Sequence, residues 1–164
     1  MRGISVRWMG YPSTQWREMV EPHFGFLIEL GFSRVIEDDT SNWETSLQYA
    51  STVSAVRIVR SIEYDRVEVY LYRLLNGQPP PYSEGTIDGV GYQALFDNVL
   101  ESRGQRAVER GGLADADVER QLGYWSDSLR RFAPEILSGD LSAINEAAAI
   151  VDERKRKHPW PPPE

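Results

Sequence analysis

The chain has 164 residues, of which 41% are hydrophobic and 26% are charged, and its formal net charge is −7 at pH 7. This length fits one domain with a sizeable core, and the composition excludes a disordered chain. The sequence contains no cysteine and only two histidines, which excludes thiolate nucleophiles, disulfides and thiolate zinc sites and leaves little for acid–base catalysis near neutral pH. We therefore expect a binding protein and not an enzyme, with no cofactor and no metal.

The charge balance favours one class of partner. With 25 acidic against 18 basic residues, the chain lacks the basic surface that non-specific nucleic-acid binding needs. An acidic surface suits a basic protein partner, although the same charge also serves solubility. All basic residues except Lys155 and Lys157 are arginines, a bias associated with GC-rich coding genomes, and this suggests a bacterium.

The sequence predicts a cytoplasmic protein of one domain. No apolar run approaches the roughly 18 residues of a membrane span, and the first residues lack a signal-peptide core. Residues 12–157 are predicted to form a single α+β domain, present as a monomer or weak homodimer. An irregular leader, residues 1–11, precedes it and contains Met9 as an alternative start to Met1, and a Pro-rich tail, residues 158–164, follows it.

The first predicted element is a helix that begins at Ser13. Its apolar residues recur at spacings of three or four, as on one face of a helix, and Gly31 is predicted as its C-cap. Pro22 removes a backbone hydrogen bond, so we expect two short helices or one bent helix. The apolar residues of this face are Trp16, Val20, Phe24, Leu27 and Ile28.

A block of four strands is predicted next, because Val, Ile, Tyr and Thr are enriched there. In the last strand, apolar and polar residues alternate with a period of two. The short polar segment Glu63–Arg66 joins the last two strands and predicts an antiparallel hairpin. The predicted strands are Ser33–Glu37, Thr45–Ser51, Val53–Ile62 and Val67–Leu75.

Three helices are predicted after a Pro-rich loop over residues 76–85. A short helix covers Gly91–Ser102, and a longer one follows, with Asp115 or Asp117 as its cap. Ser138–Asp140 ends the longer helix, and a last helix runs from Leu141 to about Arg154. The continuous apolar face of the longer helix consists of Val118, Leu122, Trp125, Leu129, Phe132 and Ile136.

These elements predict an α+β fold: a four-stranded antiparallel meander with an N-terminal helix and three C-terminal helices packed mainly on one face of the sheet. Several clusters with possible chemistry are better explained by structure. The carboxylates of Glu37–Asp39 point to alternate faces of a strand. His23 and the nearby Glu21 could form a general-base dyad, but close neighbours on a helix do not face each other. Asp115, Asp117 and Glu119 suit the start of a helix. We predict no catalytic residue.

The face of the sheet that points away from the helices is the candidate binding surface. If the apolar residues of the last strand face the helices, the other face carries Glu, Tyr and Arg, with Trp43 near the neighbouring strand. Tyr, Trp and Arg are enriched at interface hot spots, and Arg can also bind the carboxylate or phosphate of a small molecule. The hairpin register decides which arginine takes part, and ordinary cross-strand stabilisation is an alternative interpretation. The candidate residues are Trp43, Tyr49, Arg57 or Arg60, Glu68, Tyr70 and Tyr72.

Three segments carry a resemblance to a group of known proteins. They are Phe26–Phe32 with the pattern FLxxLGF, the hairpin residues Glu63–Glu68, and Leu129–Asp140 with the pattern LRRFAxxILxGD. Over most of residues 16–151, the chain resembles small bacterial α+β proteins that include presumed immunity proteins of polymorphic toxin systems. The resemblance implies an acidic protein that neutralises a basic toxin domain, and it supplies no catalytic residue.

Two functions remain open from the sequence. The first is a non-enzymatic protein-binding domain of immunity type. The second is a small-molecule-binding or sensing domain with a pocket between the sheet and the helix that contains Trp125.

Overall fold

A computed structural model describes residues 13–35, 44–74, 76–78, 89–91 and 116–158. The first element is the predicted helix, and it divides in two, into α1 (Ser13–Phe24) and α2 (Phe26–Glu29). Pro22 lies inside α1, and the division falls at Gly25. Gly31 has φ +90°, and the amide of Phe32 donates to the oxygen of Leu27 at 2.9 Å, so the predicted C-cap is confirmed as a Schellman-type ending.

The predicted four-stranded antiparallel meander is confirmed. A fifth short strand continues it, and the order across the sheet is β1-β2-β3-β4-β5 with every described pair antiparallel. The sequence analysis did not predict the fifth strand and assigned Gly91 to a helix. The strands are β1 (Ser33–Val35), β2 (Glu44–Ala50), β3 (Ser54–Ser61), β4 (Arg66–Arg73) and β5 (Gly89–Gly91).

The apolar face predicted as one long helix belongs to two helices. The helix α3 (Val118–Phe132) ends before Pro134, and α4 (Pro134–Leu137) starts at that proline, since a proline is tolerated in the first turn of a helix and not in its interior. Asp117 caps α3 by accepting a hydrogen bond from the amide of Arg120 at 2.8 Å. The last helix, α5 (Ser142–Lys157), follows Gly139, which has φ +103°.

One hydrophobic cluster joins the described helices to one face of the sheet. We call this face, which carries Leu47, Val56, Ile58, Val69 and Leu71, the core face. The packing of helices mainly on one side of the sheet stays a prediction, because most of the helix predicted over Gly91–Ser102 lies outside the described residues. The largest fully buried side chains are Trp16, Phe24, Leu27, Tyr49, Ile58, Leu71, Leu122, Leu129 and Ile136.

Side chains of α3 bond to the backbone of β4 beyond the described pairing of β5. That pairing covers Tyr70–Tyr72, so the backbone of Val67 lies beyond it. Gln121 Oε1 accepts a hydrogen bond from the amide of Val67 at 2.9 Å, and Trp125 Nε1 donates to the oxygen of Val67 at 3.0 Å. These two bonds fix the position of α3 against the sheet.

Some sequence predictions fall on residues outside the described ranges. They concern the leader, Trp43, the acidic run Glu37–Asp39, most of the Pro-rich loop and the tail after His158. The single-domain organisation likewise stays a prediction. Among the described helices, none is long and apolar enough to cross a membrane.

Candidate functional site

The sheet register assigns the predicted binding residues to two different faces. Arg57 pairs with Tyr70 and with Gln48, so it lies on the face opposite the core face, together with Glu68 and Tyr72. We call this face, with Ser46, Gln48, Arg57, Glu68, Tyr70 and Tyr72, the second face. Arg57, and not Arg60, therefore joins the tyrosines, which the sequence had left open.

Two of the candidate residues do not lie on the second face. Tyr49 pairs with Val56, and Arg60 pairs with Val67, so both belong to the core face. Tyr49 is buried there, and Arg60 Nε donates to Asp65 Oδ1 at 2.9 Å at the turn between β3 and β4. Tyr49 and Arg60 therefore do not lie beside Tyr70, which corrects the prediction for Tyr49 and decides against Arg60 as the alternative to Arg57. Trp43 lies outside the described residues.

The second face is polar and largely buried. Only 6% of Arg57 is exposed, Gln48 and Tyr72 are also buried, and Glu68 and Tyr70 are half-buried. Arg57 Nη2 donates to Ser46 Oγ at 3.2 Å, and the Tyr70 hydroxyl donates to Glu68. The rings of Tyr70 and Tyr72 stack with centroids 6.2 Å apart. The Arg57–Ser46 bond joins β3 to β2, whereas the Tyr70–Glu68 bond and the Tyr70–Tyr72 stack lie within β4. Contacts of this kind stabilise the sheet itself.

A histidine–carboxylate contact links α1 and α3. His23 Nε2 lies 2.8 Å from Glu119 Oε1, and the sequence analysis had placed these residues in separate structural roles. Ser126 Oγ donates to the backbone oxygen of His23 at 2.6 Å and not to its ring. The arrangement therefore ties α1 to α3 and does not form a nucleophile–base pair.

A surface groove lies where α1 and α2 meet α3 and α4. Its volume is about 880 Å³, which is within the range of ligand-sized clefts. The guanidinium carbon of Arg130 lies 4.2 Å from the centroid of the Phe26 ring, a cation–π contact across the groove. We call this the helical groove; it is lined by Pro22, Gly25, Phe26, Glu29, Leu30, Arg130, Pro134, Leu137 and Ser138.

Two large aliphatic side chains are exposed on α2 and at its end. Ile28 is 51% exposed and Leu30 is 53% exposed, and Leu30 lines the helical groove. The sequence analysis assigned Ile28 to the buried face of the first helix, because it follows Leu27 at helical spacing. Leu27 is buried and Ile28 is not, because Ile28 lies about 100° further around the helix, at the edge of the apolar face.

Metal chemistry has no support in the part of the chain that the structure describes. Within those residues, no group of three or more His, Asp or Glu side chains is arranged to hold a metal ion.

Comparisons with known proteins found no relative: no protein-family model matches the chain, and no curated protein or solved structure matches it significantly.

Proposed function

We propose that this protein is a non-enzymatic protein-binding domain whose contact surface is the helical groove. The observation that carries the proposal is the exposure of Leu30 on the wall of the groove, with Ile28 exposed on the adjoining helix α2. Because each side chain is only about half exposed, burial of the remainder stabilises a complex by about 1 kcal/mol, roughly half of the value for a fully exposed aliphatic side chain. Leu30 lines the groove together with Phe26 and Leu137, and these side chains offer an apolar centre of the kind found in protein interfaces.

The partner that fits this surface is a basic protein. The protein has a net charge of −7, and the walls of the groove include Glu29, with Glu135 exposed on α4. The groove also carries Arg130, whose guanidinium lies over the Phe26 ring. The charge argument therefore rests on the negative net charge of the whole protein, which attracts a basic partner. A toxin domain neutralised by an immunity-type inhibitor is such a partner, in line with the resemblance in sequence.

The second face supports this function less well than the groove. Arg57 and Tyr72 are buried, so a partner could reach them only after rearrangement of the fold. Half-buried Glu68 and Tyr70 bond to each other. We therefore interpret the residues of the second face as stabilising the sheet.

A matched pair of variants tests the groove. The double variant Ile28→Ser/Leu30→Ser removes the exposed apolar side chains, and Val53→Ser is the control, because Val53 is also an exposed aliphatic residue but lies on the turn between β2 and β3. Tagged protein is used to capture partners from the native host, and the purified partner is then titrated by calorimetry. We expect the double variant to bind at least about ten-fold more weakly, with an unchanged melting temperature.

Each result has a distinct meaning. Equal affinity of the wild type and the double variant would refute the groove as contact surface. A captured partner that is not basic would refute the charge argument. Co-expression with the captured partner tests the immunity-type role, because relief of growth inhibition by the wild type and by Val53→Ser, but not by the double variant, is the expected outcome.

The small-molecule alternative has less support beside Trp125. Gln121 and Trp125 bond directly to the backbone of Val67, and Leu122 and Leu129 are fully buried in the core cluster. These contacts bring α3 against β4 and count against a ligand pocket at that place.

A further inference from the structure

The turn between β3 and β4 presents a tyrosine to solvent. Ser61 pairs with Arg66 where the two strands end, and residues 62–65 between them form the turn, which we call the β3–β4 tip. Tyr64 is 72% exposed, more than any other large hydrophobic side chain in the described parts of the chain. Single exposed apolar residues are common on protein surfaces, so its meaning depends on how the tip is held.

Two buried side chains hold the β3–β4 tip in place. Arg60, which is 7% exposed, donates to Asp65 Oδ1 from both Nε and Nη2, and Gln121 Nε2 donates to the oxygen of Asp65 at 2.9 Å. Asp65 has φ +52°, in the left-handed region that few residues other than glycine adopt. A turn that is bonded to its own strand and to α3 loses little conformational entropy on binding, so Tyr64 is presented ready for contact.

The helical groove carries two charged side chains without an ion pair. Glu29 and Arg130 line the groove and are exposed, and within the described residues neither makes a hydrogen bond or an ion pair. The guanidinium of Arg130 lies over the Phe26 ring, and its N–H groups can still donate to a carboxylate. The groove thus combines an apolar centre with one available positive and one available negative charge.

The β3–β4 tip is complementary to the helical groove. Tyr64 offers an aromatic ring to the apolar centre of the groove. Glu63 is exposed next to Tyr64 and offers a carboxylate to the guanidinium of Arg130. Arg66, whose side chain is 59% exposed, follows the turn and supplies the charge opposite to that of Glu29. Each of the two surfaces therefore carries one acidic and one basic group that match those of the other.

The β3–β4 tip and the groove of one molecule lie at opposite ends of α3. Asp65 bonds to Gln121 near the start of this helix, whereas Arg130 lies in its last turn. These two residues of α3 are about 14 Å apart along the axis, at about 1.5 Å per residue. A tip that is fixed at one end of α3 does not reach a groove at the other end, so a contact between them joins two molecules.

We propose that the protein associates head to tail, with the β3–β4 tip of one copy in the helical groove of a second copy. Tyr64 packs in the apolar centre of the groove, and Glu63 pairs with Arg130. The contact uses two different surfaces, so every chain of copies ends with one free tip and one free groove unless it closes into a ring. It uses the groove of the proposed function but needs no partner, and it excludes the basic partner from an occupied groove.

Sedimentation velocity of the purified full-length protein measures the association. The net charge of −7 on each copy opposes it, so the buffer contains salt at about 0.15 M, where a Debye length of about 8 Å screens the repulsion between whole molecules. Small contacts are weak, so the protein concentration is raised from about 10 μM to about 1 mM. We expect the average mass to rise above that of the monomer over this range.

Two surface variants test whether the contact is head to tail. Tyr64→Ser alters the tip and keeps the groove, whereas Leu30→Ser alters the groove, where Leu30 is 53% exposed, and keeps the tip. We expect each variant alone to associate at least about ten-fold more weakly than the wild type. An equimolar mixture should form a dimer and nothing larger, because only one intact tip–groove contact is left. Dimer formation also shows that both variants are folded.

Exchange of the charges tests the orientation of the tip. Glu63→Arg places two positive charges against each other and should weaken association at least about ten-fold. Addition of Arg130→Glu to the same chain should restore association, because the pair is then reversed. Val53→Ser is the control, since Val53 is exposed but lies in neither surface, and it should associate as the wild type does.

Several results would overturn the proposal. One is a wild type that stays monomeric up to about 1 mM in the same buffer. Another is an equimolar mixture of Tyr64→Ser and Leu30→Ser that associates no better than either variant alone. Association of Tyr64→Ser with wild-type affinity would also refute it, because the copies would then meet through their grooves alone. None of these results depends on a protein partner, so failure here leaves the proposed function to its own test.

Discussion

Replacement of Gln121 by methionine tests whether the α3–β4 contact stabilises the fold. Gln121 is 4% exposed and makes three hydrogen bonds, each of 2.9 Å: its Nε2 donates to the oxygens of Asp65 and Ala116, and its Oε1 accepts from the amide of Val67. Methionine has a similar length and shape but offers none of these bonds. The variant therefore removes the polar contacts with little change in packing.

The expected cost follows from the burial of the groups that lose their partner. The amide of Val67 belongs to a residue that is 1% exposed, so its desolvation is left uncompensated, at a cost of about 1–3 kcal/mol. The oxygens of Asp65 and Ala116 lie nearer the surface, where water can replace the lost bonds, and they add about 1 kcal/mol together. We expect the free energy of unfolding to fall by about 2–4 kcal/mol, which lowers the melting temperature of a protein of this size by roughly 10 °C.

Urea unfolding followed by circular dichroism measures this change, with Ser126→Ala as the reference. Ser126 is also buried on α3, but it makes a single hydrogen bond, to the oxygen of His23, so its loss should cost about 1 kcal/mol. Gln121→Glu keeps the acceptor but places a carboxylate against two carbonyl oxygens, and it should cost at least as much as Gln121→Met. The expected role of Gln121 is refuted if Gln121→Met is as stable as Ser126→Ala or more stable, while the slope of the unfolding free energy against urea concentration stays unchanged.

Two further predictions concern the helices and Tyr49. Gly123→Ala should raise the free energy of unfolding by about 0.5–1 kcal/mol, because alanine favours a helix and the new Cβ would lie 3.7 Å from His23. Gly25→Ala should lower it by about 1–3 kcal/mol, because the new Cβ would lie 2.9 Å from the oxygen of Glu21; urea unfolding that ranks the two variants in the reverse order would contradict this. Burial raises the pKa of Tyr49, so above pH of about 10 the unfolded chain releases this proton first and stability falls as the pH rises. In Tyr49→Phe the urea midpoint should fall less steeply across this alkaline range, and an identical slope would contradict the argument.

Much of the fold could be predicted from the sequence because the relevant interactions are local. The alternation of Val67, Val69 and Leu71 with polar residues identified β4, since successive side chains on a strand point to opposite faces. Gly31 and Gly139 marked helix ends, because both adopt positive φ there.

The candidate site was predictable only in part. The sequence placed an arginine beside Tyr70 on the second face, but only the register selected Arg57, since a shift of one residue exchanges the two faces of a strand. It also could not show that this face is buried. Helical spacing placed Ile28 at the edge of the apolar face, and only the packing of the other elements decides whether such an edge residue is covered.

The sequence by itself determined the class of the fold, the caps and the absence of cysteine chemistry, since each depends on residue type or on neighbours a few positions apart. Only the tertiary structure decided the contacts between distant residues. It joined Gln121 and Trp125 to Val67, and His23 to Glu119. A hydrophobic pattern determines which side chains turn inward. The hydrophobic effect is non-directional, so the pattern does not determine which residues these side chains contact. The partners of polar groups are set by the relative positions of whole helices and strands, and these appear only when the chain is packed.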